Sequence, residues 1–110
     1  MKTKPAPQVM KDYQASSAGQ RFIEAIAYLR AYPIDLPSLR AALPSIRTPV
    51  LSIRGAHDPL VPPENADVLD RGLPRTRSMQ FDSGHFVWED QAEDDAAAIL
   101  DWIRGGYRAV

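Results

Sequence analysis

The chain has 110 residues, with 13 basic and 14 acidic side chains, a net charge of −1 and a hydrophobic content of 45%. That length suits one modest domain, and the near-neutral balance leaves no electrostatic footprint for nucleic acid or an anionic membrane. The absence of cysteine excludes disulfides and thiolate metal sites, and no run approaches the ~18 consecutive apolar residues of a membrane span.

Residues 1–8 carry two prolines and two lysines and read as a tail, with a short amphipathic piece at Val9–Tyr13. No apolar stretch follows the basic start, so it does not read as a signal peptide, and the cytoplasm is the expected compartment. The folded segment is expected over residues 16–110. Ser16 or Ser17 suits a helix N-cap, and Phe22, Ile23, Ile26 and Leu29 fall at helical spacing, which predicts a helix to about Tyr32, ended by Pro33. Asp35-Leu36-Pro37 marks a second helix start, and Pro44 its stop.

Pro49–Arg54 is a short, mostly apolar run closed by Gly55, read as a buried strand with Val50, Leu51 and Ile53 covered on both faces. A loop with three prolines follows, Gly55 to Pro63. Glu64–Arg71 is predicted helical and stopped by Gly72. Thr76–Phe81 is a second strand, with Met79 and Phe81 on one face, and 82–88 is a loop. Ala92, Ala96, Ile99, Leu100 and Ile103 form an apolar stripe on a last helix. The acidic residues Glu89, Asp90, Glu93, Asp94 and Asp95 crowd its N-terminal end, where carboxylates complement the helix dipole.

A strand–helix–strand order implies a parallel pair with a right-handed crossover. The C-terminal ends of both strands then lie on one edge of the sheet, where open α/β folds place their sites. Asp58 follows the first strand and His85 the second. Neighbouring strands are about 4.8 Å apart, so these side chains can meet. A carboxylate that accepts the imidazole N–H fixes the tautomer and leaves the other ring nitrogen as a general base. His57 reads as a bystander. Phe86, Val87 and Trp88 are candidates for pocket lining, as is Leu60. No Gly-rich phosphate loop and no metal-ligand spacing is present, so neither cofactor nor metal is expected.

Thr48–Pro62, Leu73-Pro-Arg-Thr-Arg77 and Ser83-Gly-His-Phe86, taken in order, resemble the C-terminal portion of an α/β-hydrolase. Gly55-Ala-His-Asp58 is similar to the family's G-x-x-D acid motif, Gly84-His85 to its Gly-His motif, and Ala92–Arg104 with Trp102 to its closing helix. The resemblance implies an α/β class fold: a parallel strand–helix–strand–helix unit preceded by two helices from the cap or connection region. It implies that Asp58 and His85 are the acid and base of a nucleophile–His–Asp triad acting on an ester-like small molecule; Leu60 and Phe86 are placed as substrate-lining candidates by their positions in the two loops alone.

The family's nucleophile elbow, G-x-S-x-G, has no matching window, and none of the seven serines sits in one. The oxyanion-hole loop is likewise unmatched. The expectation is a truncated hydrolase, inactive alone, whose partner is an N-terminal hydrolase segment or another copy of itself. The alternative is a non-catalytic remnant or interaction module that self-associates through exposed strand edges.

Overall fold

Val50, Leu51 and Ile53 favour extended backbone, and Val50–Gly55 forms strand β1. Thr76–Phe81 forms β2. The two pair in parallel, in a register running from Val50 opposite Thr76 to Gly55 opposite Phe81. They are joined by helix α4, Glu64–Gly72. The computed structural model describes residues 4–108, and the expectations for residues 1–3 and 109–110 lie outside these. Contacts divide the chain into two units, one of residues 4–41 and one that includes the chain from Ala42 onward.

In the first unit, α1 spans Pro7–Ser16. The expected tail is thus helical from Pro7, a residue well suited to a first turn because its missing N–H is not needed there. Ser16 and Ser17 are not N-caps. Both hydroxyls donate to the Tyr13 carbonyl at 2.9 Å and so close the end of α1. Gly19 supplies a left-handed residue, φ 65°, in the turn that follows.

The expected helix to Tyr32 is divided. Arg21–Ile26 is α2, and Ala27–Ala31 is a 3-10 turn. Pro33 does not end it: α3 runs Tyr32–Ala42, with Pro33 in its first turn and Pro37 inside. Pro33 costs nothing there. Pro37 deprives one carbonyl of its helical donor, and the helix is exposed there. None of these helices buries a residue.

The second unit holds the sheet. Leu43, Ala66, Leu73 and Val87 are its buried apolar residues. A 3-10 turn, Leu43–Ser45, contains Pro44, and Leu43 packs where Gly72 lacks a side chain. A Cβ at Gly72 would lie 2.7 Å from Leu43 Cδ1. α4 is tied to β2 by a short hydrogen bond from the Ser78 hydroxyl to the Asp70 carboxylate. In the predicted loop 82–88, residues from Val87 onward start a one-turn helix, α5, Val87–Asp90.

Helix α6 spans Ala92–Arg104. Its apolar stripe is not core: Ala92, Ala96, Ile99, Leu100 and Ile103 are exposed, while Asp95, Ala98 and Trp102 are half-buried. β1 is also only half-buried up to Arg54. The cause is the same in both cases. Among the described residues the sheet has two strands, too few to cover a long helix or to enclose a strand on both edges.

The register shows which groups the open edge presents. Val50 N–H bonds to Arg75 O at 3.0 Å and Ala56 N–H to Phe81 O at 2.9 Å. In a parallel ladder alternate residues face each neighbour, so the backbone groups of Leu51, Ile53 and Gly55 face outward. No described helix is long and apolar enough to cross a membrane.

Candidate active site

The parallel pairing brings the loops after β1 and β2 to one edge, and backbone hydrogen bonds carry the pairing past the strands. His57 N–H reaches Ser83 O at 3.0 Å. The approach is close enough to require glycine: a Cβ on Gly55 would fall 2.0 Å from Gly84 O and 2.6 Å from Ser83 O. Ser83 is fully buried in this contact. Gly84 N–H donates to Asp90 Oδ2 at 3.1 Å, so α5 anchors the peptide just before His85.

Asp58 and His85 meet. His85 Nδ1 lies 2.9 Å from Asp58 Oδ2, with Asp58 9% and His85 32% exposed at the side chain. The other carboxylate oxygen, Oδ1, accepts the N–H groups of Leu60 at 2.8 Å and Val61 at 3.0 Å, an Asx turn that orients the acid within its own loop. Burial pushes the Asp58 pKa up, but the donors at Val61, His85 and Leu60 together outweigh it and hold it below the usual carboxylate value. An ionised carboxylate only accepts, so Nδ1 carries the proton and Nε2 of the neutral ring is the basic nitrogen.

A cavity of about 440 Å³ adjoins the couple. Its wall includes the consecutive β1 residues Ser52, Ile53, Arg54 and Gly55, so it lies along the strand, together with Leu69 of α4 and Ile99 of α6. Asp58 and His85 line it too. Leu60, 69% exposed, and Phe86 are not part of this wall, whereas Val61, Val87 and Trp88 are. Phe86 instead packs its ring against His85, centroids 5.2 Å apart at 86°, and against Trp88 at 5.3 Å. Among the described residues no cluster of three His, Asp or Glu side chains could hold a metal ion.

Sequence reasoning passed over a second His–carboxylate pair. His57 Nε2 lies 2.9 Å from Asp82 Oδ1. The pairing follows from the register, which the structure continues beyond Gly55–Phe81 to set Ala56 beside Asp82 and His57 beside Ser83. Asp90, read only as part of an acidic helix start, also has a specific role through its bond to Gly84.

No family model matches the chain. Over 67 residues, 60% of the chain, it is 43% identical to a pimeloyl-[acyl-carrier protein] methyl ester esterase of Aromatoleum aromaticum, a match covering 27% of that protein. Its fold is similar to that of MGS-MChE2, an alpha/beta hydrolase enzyme from the metagenome of sediments of the Mar Chica lagoon, Morocco. That match has a TM-score of 0.66 at 22% identity and covers 90% of this chain and 45% of the enzyme. The chain thus spans between a quarter and a half of the proteins it resembles.

Proposed function

This chain has part of an α/β-hydrolase fold, and from that premise we propose that it is the C-terminal portion and supplies the acid and the histidine base for hydrolysis of an ester-like small molecule. The observation that carries this reading is the 2.9 Å contact between Asp58 and His85 beside the cavity. His85 Nε2 takes the proton of a nucleophilic hydroxyl as that oxygen attacks the ester carbonyl. His85 then returns the proton to the leaving alcohol. In the second half it deprotonates the water that cleaves the acyl intermediate. Asp58 stays ionised throughout and holds the ring in the required tautomer.

The nucleophile and the oxyanion donors come from a segment outside these 110 residues, and the chain alone does not turn over an ester. The test is to combine it with a separately expressed nucleophile-bearing hydrolase segment and follow cleavage of p-nitrophenyl acetate. Activity that needs both pieces and disappears in His85→Ala supports the role. Stable association with hydrolysis unchanged in His85→Ala defeats it.

A second reading rests on the outward-facing backbone of β1 and the exposed stripe of α6: a non-catalytic module that self-associates through this edge. A dimer by light scattering, with no cleavage of p-nitrophenyl acetate when the nucleophile-bearing segment is supplied, favours it.

A further inference from the structure

The two loops exchange side chains twice. The first contributes His57 and Asp58, the second Asp82 and His85, and each histidine pairs with the other loop's carboxylate at 2.9 Å. Two backbone bonds join the same stretches of chain, Ala56 N–H to Phe81 O at 2.9 Å and His57 N–H to Ser83 O at 3.0 Å. His57 is the residue immediately before the acid. Asp82 opens the short turn that ends in the base, and its carbonyl also accepts from Gln91 Nε2 at 3.3 Å.

The outer pair is exposed, His57 at 63% and Asp82 at 76% of their side chains. Solvent screening makes such a pair a minor contributor to global stability. Its effect is local, because it spans the same two loops as the inner pair, at the point where they leave the sheet. A hydrogen bond between loops fails when the loops part by a fraction of an ångström, since both distance and angle are restrictive. Among the described residues, one open-edged pair of strands lies behind these loops. We propose that His57 and Asp82 form a positioning clamp that keeps the Asp58–His85 couple closed. The inference builds on the acid–base role proposed for that couple, and neither clamp residue touches the reacting atoms.

The experiment reads the His85 ring directly by ¹H–¹⁵N NMR of the full chain, with no need for turnover. In the unmodified chain His85 is expected in the Nδ1–H form, with that proton slow to exchange with water. Asp82→Ala is expected to speed its exchange about two- to fivefold, the scale of one exposed pair, while the thermal midpoint stays nearly constant. Asp82→Asn keeps an oxygen acceptor for His57 and is expected to restore slow exchange. His57→Ala removes the opposite partner and is expected to repeat the Asp82→Ala result, which covers the case in which one variant fails to fold.

Unchanged His85 exchange in Asp82→Ala or His57→Ala overturns the clamp and leaves the couple standing. A His57 ring insensitive to Asp82→Ala also overturns it. An unmodified chain with His85 in the Nε2–H form removes the couple itself, and the clamp with it.

Discussion

Gly55 and Gly84 meet backbone to backbone, with no space for a side chain between them: a Cβ on the first would sit 2.0 Å from the carbonyl oxygen of the second. The contact joins the end of β1 to the turn carrying His85, so the separation of acid from base is set by two residues that take no part in chemistry.

Gly55→Ala must therefore push the loops apart. The obstructing atoms are backbone and cannot rotate away. The expected cost is about 1–3 kcal/mol, the usual scale of overpacking, read as a lower urea midpoint at unchanged m-value. The His85 Nδ1 proton should also lose its slow exchange. Gly72→Ala is the contrast. Its obstacle is the Leu43 side chain, Cδ1 at 2.7 Å and Cβ at 3.0 Å, rather than a backbone carbonyl at 2.0 Å, so a smaller loss is expected.

Asp58→Asn keeps the shape of the acid but not its charge. Its side chain can present an N–H₂ to His85, which favours the wrong ring tautomer. In the reconstituted hydrolase this is expected to lower kcat on the order of 10³–10⁴-fold, with KM for p-nitrophenyl acetate changing far less. Steady-state kinetics of the paired pieces measure both.

Because Asp58 has a depressed pKa in the folded chain, it binds protons more weakly there than in the unfolded chain, where the value is about 3.9. Its stabilising contribution is complete above that unfolded value and is lost as pH falls through the lower, folded one. Urea midpoints measured from about pH 6 down to about pH 2 should fall less steeply at the acid end in Asp58→Asn than in the unmodified chain.

The exposed stripe of α6 gives a prediction about assembly. Leu100 and Ile103 are nearly half exposed, at 46% and 45%, and Leu100→Lys with Ile103→Lys should reduce self-association of the isolated chain. Light scattering at several concentrations checks it, and far-UV circular dichroism should show the helix retained. An unchanged mass distribution would assign association to the β1 edge instead.

The β1–α4–β2–α6 order was legible because its signals are local: an apolar run closed by Gly55, a helix stopped at Gly72, and the Asp58 and Gly84-His85 motifs each following a strand. Parallel pairing then needed only the crossover rule to bring Asp58 and His85 together. The helices before residue 42 were less legible. Side-chain periodicity reports burial, and these helices bury nothing. Prolines 33 and 37 read as boundaries but lie within α3. The α6 stripe was visible as a pattern, yet a pattern identifies an apolar face and not what covers it. The pairing of His57 with Asp82 depends on the exact register, which hydrophobic patterning does not fix to a single residue for a strand open along one edge.

The Asx turn at Asp58 fixes one oxygen of the acid without any contribution from its histidine. Oδ1 is held by the amides of Leu60 and Val61, which leaves Oδ2 to meet Nδ1 of His85. The orientation of the acid is local, while its distance from the imidazole is set by the backbone bonds of Ala56 and His57 to the second loop. Glutamate could not stand in for the aspartate, since one extra methylene would either release both amides or overshoot the ring.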